Sequence, residues 1–257
     1  MIINQLKRII TLIYFIIYTI YCSKATRLPF IKDKYSLFYN EFLNLIPIFY
    51  KNICDSSIYQ TGKLITTNKI DIVISNHINR IDSFIITSII KSKTTKTLYP
   101  VIQKEMAKLP ILNSFAPGCI VINRDFESDI NTIKKFIKNV NNGIIIILPE
   151  GTRMNNDNLK KSQEFSENNK LKKYNNLLYP KMQGLNLIIN ELNNDNKLGN
   201  LIDITMKVKD KLKCKTGYLD FIKYKVGNLY CNVDTYKINN KCLNNYDNLK
   251  KWILMIW

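Results

Sequence analysis

The chain contains one histidine, His77, and an aspartate, Asp82, follows it five positions later. The run Ile70–Ser75 before His77 has the apolar composition of a strand, and Ser83–Ile90 has that of a helix. Side chains five apart in a continuous helix point about 140° apart, so these two meet only across a turn. A strand, a loop and a helix supply that turn. The sequence therefore predicts an imidazole held by a carboxylate, which is a general base able to take a proton from an alcohol.

Each residue of this pair also has an ordinary structural interpretation. A lone histidine is more often a structural or surface residue than a catalyst, and Asp82 stands where the following helix would take an N-cap. Capping and orienting the imidazole are compatible roles. No serine of the chain stands in a G-x-S-x-G elbow. We therefore expect the attacking alcohol to come from a substrate.

Two further groups of polar residues follow predicted strands. One extends from Gly118 to Arg124 around the strand Cys119–Ile122, and the other is Pro149–Arg153, after the strand Ile144–Leu148. Arginine presents a planar, permanently charged fork that suits phosphate, and glycine lets a backbone approach closely. Each arginine alone would be an ordinary surface residue. At neighbouring sheet edges, together with the imidazole and the carboxylate, they predict an anion pocket beside the base.

Short β-rich runs alternate with helical ones and predict an α/β fold with a mixed, mostly parallel central sheet flanked by helices. Leu98–Ile102 is one more predicted strand, and the apolar stripe over 133–140 predicts a helix docked on the sheet. Alternation at 202–208 and on both sides of Val226–Asn228 predicts further strands. The polar stretch 154–176 has no apolar period and is predicted to be an exposed insertion or loop.

The first fifty residues predict a lipid-facing helical segment. Ile9–Cys22 is uncharged and apolar, but as a helix it is about 21 Å long, shorter than a bilayer span. We interpret it as a helix in the membrane interface, with a true span and a cleaved signal peptide as alternatives. Apolar positions at helical spacing over 38–49 predict an amphipathic helix ending near Pro47. Packing of this helix on the protein core is its alternative.

The chain of 257 residues carries 38 Lys and Arg against 20 Asp and Glu, a formal net charge of +18. Its partners should therefore be anionic: nucleic acid, anionic lipid or phosphorylated metabolites. An AT-rich genome would also enrich Lys, Asn and Ile without selection for binding. The apolar fraction of 46% excludes a disordered chain. The six cysteines form no C-x-x-C pair, which indicates reduced thiols facing a cytosol and no zinc site.

Four blocks resemble, in order and spacing, those of the glycerolipid acyltransferases related to 1-acyl-glycerol-3-phosphate (lysophosphatidic acid) acyltransferase. They are Asn76-His77 with Asp82 (N-H-x4-D), Gly118 to Arg124 (G-x-x-F-I-x-R), Pro149 to Arg153 (P-E-G-T-R) and Leu178 to Gly184 (a proline-containing fourth block). The resemblance covers about residues 60 to 210. It implies an acyltransferase domain over 56–257, preceded by a membrane anchor over 1–55.

The resemblance further implies transfer of a fatty acyl group from acyl-coenzyme A to the free hydroxyl of a lysophospholipid. The foremost acceptor would be 1-acyl-sn-glycerol-3-phosphate, which gives phosphatidic acid. His77 would be the general base and Asp82 would orient it. The substrate-binding residues that it implies are Asn76, Gly118, Arg124, Glu150, Gly151, Thr152, Arg153 and Lys181. Acyl-coenzyme A is a co-substrate, and no metal or other cofactor is expected.

The resemblance also implies further partners and leaves alternative functions open. Membrane lipids are expected partners, with the protein membrane-associated and its active site facing the cytoplasm, at an endoplasmic-reticulum-like membrane in a eukaryotic cell. The acceptor could instead be another lysophospholipid, such as lysocardiolipin or lysophosphatidylinositol, and a lipid-binding pseudoenzyme is a further alternative. Nucleic acid is not expected, because zinc-finger spacing, a glycine-rich phosphate loop and an RNP-like signature are all missing from the sequence.

Overall fold

A central sheet organises the chain. The computed structural model describes residues 2–25, 35–53, 58–78, 82–108, 113, 115–208, 229–239, 243 and 245–257. Within them the sheet has seven strands in the order β1-β7-β6-β2-β5-β3-β4. The strands are β1 Ile58–Gly62, β2 Ile70–Ser75, β3 Leu98–Gln103, β4 Ile120–Ile122, β5 Gly143–Ile147, β6 Leu198–Val208 and β7 Leu229–Tyr236. The β6–β7 pair is antiparallel and the other described pairs are parallel.

Helices cover both faces of this sheet. They are α1 Ile2–Ala25, α2 Tyr35–Ile53, α3 Asp82–Lys91, α4 Lys104–Ala107, α5 Phe126–Asn139, α6 Asn156–Asn168, α7 Met182–Asn194 and α8 Tyr246–Ile256, with a 3₁₀ turn at Ala116–Gly118. The predicted mixed α/β fold with a mostly parallel sheet is confirmed. The division of the chain near residue 55 stays a prediction.

Two hydrophobic clusters, one on each face of the sheet, hold these layers together. Along β2, Val73 belongs to the cluster shared with α2 and α3, whereas Ile72 and Ile74 belong to the one shared with α5, α7 and α8. This is the alternation that a strand imposes on successive side chains. Every residue of β5 is buried, because a central parallel strand is covered from both sides.

The four strands predicted before residue 150 are confirmed within one residue of their expected ends. So is the strand at 202–208, which begins earlier, at Leu198. Of the two runs flanking Val226–Asn228, the later one is β7, while the earlier run and Val226–Asn228 itself lie outside the described residues. The stripe over 133–140 falls on α5, which ends at Asn139.

Helix α2 continues through Pro47 to Ile53, so the prediction that it ends near Pro47 is wrong. A proline inside a helix removes one backbone hydrogen bond and disturbs the preceding turn. Phe42, Leu43 and Ile46, which precede the proline, are buried in the cluster that contains α3. Packing on the core, the alternative that the sequence left open, therefore holds for α2.

The polar stretch 154–176 is not only a loop, because α6 occupies Asn156–Asn168. Its N-cap Asn155 accepts a hydrogen bond from the Asn158 N–H at 2.7 Å, and Ser166 is buried on its inner face. A helix with so narrow a buried face shows no apolar period in the sequence. The hydrogen bond of its N-cap stabilises the first turn. Strand β1 and helices α7 and α8 were also not predicted.

Helix α1 contains the apolar run Ile9–Cys22 and contacts α2. Large apolar side chains remain exposed along it, namely Leu6, Ile9, Ile10, Ile13, Tyr14, Ile16, Ile17, Ile20 and Tyr21. Of the helices in the described ranges, α1 included, none combines the length and the hydropathy that crossing a membrane requires.

Candidate active site

The predicted pair of His77 and Asp82 meets across the end of β2 and the first turn of α3. The Nδ1 atom of His77 lies 2.8 Å from Oδ2 of Asp82. The carboxylate is fully buried, whereas the imidazole side chain is 22% exposed. With its proton on Nδ1, the ring donates to Asp82 and keeps Nε2 as a proton acceptor. The carboxylate thus holds the ring from its Nδ1 side, and the imidazole stays partly exposed to solvent.

Glu150 lies behind His77, in the turn after β5, and is 1% exposed. Its Oε2 accepts a hydrogen bond from the backbone N–H of His77 at 3.0 Å, and its Oε1 accepts one from the N–H of Leu178 at 3.1 Å. Burial raises the pKa of this carboxyl to about 7, against the lowering effect of the two N–H donors and of the nearby imidazole. Glu150 thus connects three segments of the site instead of presenting a free carboxylate to solvent.

Asn76 is also engaged by the protein itself. Its Nδ2 donates to the carbonyl oxygen of Met206 at 2.9 Å, and its Oδ1 accepts from the Met206 N–H at 2.8 Å. The amide, 4% exposed, therefore extends the pairing of β2 with β6 by one residue. Because the Met154 N–H donates to the His77 carbonyl oxygen at 2.7 Å, the backbone around His77 is held from both sides.

A basic cluster surrounds Gly151, at the turn that follows Glu150. Arg124 donates through Nη2 to the carbonyl oxygen of Gly151. The Lys181 side chain runs alongside, since a Cβ placed on Gly151 would lie 3.3 Å from Lys181 Cδ. Gly151 has φ +67°, a left-handed conformation that glycine adopts without strain. We call Arg124, Lys181 and the adjacent Arg153 the basic cluster.

Neighbouring side chains orient this cluster. With the Gln103 amide oxygen facing the guanidinium, it accepts from Arg124 Nε at 2.7 Å. Asn158 of α6 donates through Nδ2 to Thr152 Oγ1 at 3.3 Å and to the Arg153 carbonyl oxygen at 2.8 Å. The Arg153 side chain is exposed. The backbone of the P-E-G-T-R block is thus fixed while two cationic side chains, of Lys181 and Arg153, face solvent.

Gly118 has different surroundings. A Cβ at this buried position would lie 2.8 Å from Cε1 of Tyr39. The hydroxyl of Tyr39 in turn donates to the Leu98 carbonyl oxygen at 3.0 Å. The close approach of Gly118 to Tyr39 therefore packs the turn before β4 against α2.

The structure thus brings together His77, Asp82 and Glu150. Arg124, Gly151 and Lys181 form a second group, at the turn that follows Glu150. The sequence analysis did not name Gln103 or Asn158, and it placed Leu178 in the fourth block and Met206 in a strand without predicting that they position these groups. Leu178 and Met206 act through their backbone, so no side-chain signal could have indicated them. Gln103 and Asn158 stand at the end of a strand and near a helix N terminus, where polar residues are common.

The site combines an imidazole held by a buried carboxylate with exposed cationic side chains. Residues 58–184 match the family model described as Acyltransferase, and this range contains His77, Asp82 and the basic cluster. That segment belongs to the Acyltransferase family, and the protein is an acyltransferase-like enzyme.

One solved structure that the chain is similar to is that of PlsC, the 1-acyl-sn-glycerophosphate (LPA) acyltransferase from Thermotoga maritima. The match to that crystal structure has a TM-score of 0.58 at 14% sequence identity, over 98% of this chain and 94% of that one. At this identity the likeness concerns the fold. Among curated proteins none matches the sequence.

Proposed function

We propose that the protein transfers a fatty acyl group from acyl-coenzyme A to the free hydroxyl of 1-acyl-sn-glycerol-3-phosphate and so forms phosphatidic acid. The observation that carries the proposal is the 2.8 Å contact between His77 and buried Asp82 within a segment of the Acyltransferase family. The acceptor is suggested by the name of the structurally similar PlsC and by the basic cluster, which suits a phosphate monoester.

In the proposed reaction His77 Nε2 takes the proton of the acceptor hydroxyl as its oxygen attacks the thioester carbonyl carbon. A carbon–oxygen bond forms, the carbon–sulfur bond breaks, and the coenzyme A thiolate leaves with the proton returned by the imidazolium. Asp82 stabilises the transient positive charge on the ring and holds its orientation. The reaction as written needs no metal and no cofactor besides the acyl donor.

The phosphate of the acceptor is proposed to bind at the basic cluster. Arg124 is already hydrogen-bonded to Gly151 and Gln103, so it contributes positive potential and a fixed shape. Lys181 and Arg153 keep N–H donors directed to solvent and are the groups proposed to contact the phosphate oxygens. Gly151 packs against the Lys181 side chain, and Thr152 accepts a hydrogen bond from Asn158; both are proposed to shape the phosphate site.

Membrane association is proposed to occur through α1. Its row of exposed isoleucines and tyrosines would bury apolar area at the headgroup boundary, with the helix lying in the interface. The net charge of +18 favours the anionic cytoplasmic leaflet, by about 1 kcal/mol per basic residue close to the surface. We propose that the active site faces the same, cytoplasmic, side.

The experiment for the reaction is an acyl-transfer assay on protein reconstituted in liposomes, with oleoyl-coenzyme A and a panel of lysophospholipids. We expect phosphatidic acid from lysophosphatidic acid, and no product from the His77→Ala variant at an unchanged circular dichroism spectrum. Product from a different lysophospholipid alone would replace the acceptor in the proposal. Lipid binding without any product would leave a pseudoenzyme.

Flotation with anionic liposomes tests the role of α1. Replacing Ile10 and Ile17, which are 58% and 60% exposed, with glutamine should release the protein from the vesicles, because both side chains would lie in the acyl boundary. Ile65→Gln is the matched control, since Ile65 is 55% exposed but lies between β1 and β2. Equal flotation of all variants would contradict an interfacial α1.

A further inference from the structure

A line of hydrogen bonds leads from the residue after α8 to the general base. The indole Nε1 of Trp257 donates to the carbonyl oxygen of Leu178 at 3.3 Å. The N–H of Leu178 donates to Glu150 Oε1 at 3.1 Å. The other carboxylate oxygen accepts from the His77 N–H at 3.0 Å. Four segments that are far apart in sequence, after β2, after β5, before α7 and after α8, are thereby tied to one another.

The segment that contains Leu178 belongs to neither a helix nor a strand. It lies between α6 and α7, outside both helices, and Leu178 is 3% exposed. The Lys181 N–H donates to the Pro149 carbonyl oxygen at 2.8 Å, which anchors the far end of the segment. The Leu178 carbonyl belongs to the next peptide group along the chain; it accepts from the indole, and the Tyr179 N–H of that same group donates to Ser162 Oγ at 2.7 Å. The indole therefore acts on the donor that Glu150 receives through the backbone of Leu178 itself.

Packing alone does not account for the indole N–H. Trp257 and Trp252 both pack at the margin of the cluster formed by α5, α7 and α8. Trp252 lies edge-on to Tyr236, with 6.0 Å between ring centroids, whereas Trp257 directs its N–H at a backbone carbonyl two hydrogen bonds away from His77. A buried carboxyl such as Glu150 depends on its donors for its position, because water does not replace them.

We propose that Trp257 is a positioning residue for the base: its indole N–H, together with Ser162, fixes the carbonyl side of Leu178. The N–H on the other side of the same residue holds Glu150, which in turn holds the backbone of His77. The inference rests on the proposed function only for its effect on the rate. Trp257 touches neither substrate, so the effect should fall on the chemical step and not on binding.

The test is Trp257→Phe, which keeps an aromatic ring and removes the N–H. We expect a two- to tenfold lower kcat, the typical net effect of one hydrogen bond, with KM for acyl donor and acceptor within twofold. Trp252→Phe is the matched control: it is the same substitution, on α8 and at the margin of the same cluster, and should keep kcat within twofold. Equal losses in the two variants, or a loss confined to KM, would overturn the proposal.

Amide hydrogen exchange provides a readout that does not need activity. In Trp257→Phe the amides of His77 and Leu178 should lose protection at least threefold relative to the wild type, while amides of β5 keep theirs. Trp252→Phe should leave both amides unchanged. Unaltered protection at His77 and Leu178 in Trp257→Phe would refute the connection. If the wild-type protein lacked acyl transfer, the proposed function would fail, and the exchange data would still decide whether Trp257 positions His77.

Discussion

Replacing Asp82 with asparagine removes the negative charge beside His77 and keeps the shape of the side chain. The carboxylate is fully buried and 2.8 Å from His77 Nδ1, so water cannot take its place. Two unit charges about 4 Å apart interact by roughly 4 kcal/mol at an effective dielectric constant of about 20. In the proposed reaction the ring gains its positive charge as it takes the proton of the acceptor hydroxyl, so this stabilisation would act on the transition state.

We therefore expect Asp82→Asn to lower kcat by roughly a thousandfold, since each 1.4 kcal/mol corresponds to about a factor of ten. KM should change little, because a fully buried side chain does not touch either substrate. The assay is steady-state acyl transfer in liposomes, with folding checked by circular dichroism. Asp203→Asn is the matched control: Asp203 is also buried, at 4% exposed, but lies on β6 opposite Asp234. A kcat within threefold of the wild type in Asp82→Asn would refute the assignment of Asp82.

Three further outcomes are expected. Burial raises the pKa of Asp203 from 3.8 to about 6, so its protonated form stabilises the fold below pH 4 and this is lost as the pH rises through 6. Asp203→Asn should thus stabilise the protein at pH 8 by about 3 kcal/mol relative to its effect at pH 4, measured by urea unfolding; an equal effect at both pH values would contradict this. Arg153→Ala should raise KM for lysophosphatidic acid roughly ten- to hundredfold, with exposed Lys160→Ala as control and unchanged KM as the contrary result. Gly118→Ala should lower the unfolding free energy by about 1–3 kcal/mol through its clash with Tyr39, and an unchanged Tm would disprove the clash.

The hydrogen bonds around Glu150 change how the P-E-G-T-R block is interpreted. Its glutamate is turned into the protein, towards His77 and Leu178, while Lys181 and Arg153 are exposed. The block therefore has two roles: its buried glutamate holds the backbone of His77, and its exposed Arg153 carries a positive charge. The Glu150 carboxyl can stand beside a site proposed for phosphate because burial raises its pKa to about 7, which favours its neutral form, and because both of its oxygens accept hydrogen bonds from backbone N–H groups.

Much of the sheet was predictable because strand signals are local. The strand Ile70–Ser75 has four apolar residues out of six, all β-branched, and both its ends were predicted correctly. The bulge between Ile70 and Ile72 against β6 leaves no trace in the sequence, since it depends on the partner strand. Helix α6 was not predicted because most of its residues are polar. The Asn155 cap and one narrow buried face stabilise it, and neither produces a hydrophobic period in the sequence.

By itself, the sequence determined the chemistry that is available: one imidazole, an aspartate five residues later, and cationic groups that follow strands. These are properties of residue type and short spacing, and they hold in any conformation that places a turn after Ile70–Ser75. Only the tertiary structure decided what each group does. Asn76 and Glu150 face inward because buried polar atoms need partners, and β6 and the Leu178 segment supply those partners from 130 and 28 residues away. Such distant pairings are set by packing of the whole chain, and no local pattern encodes them.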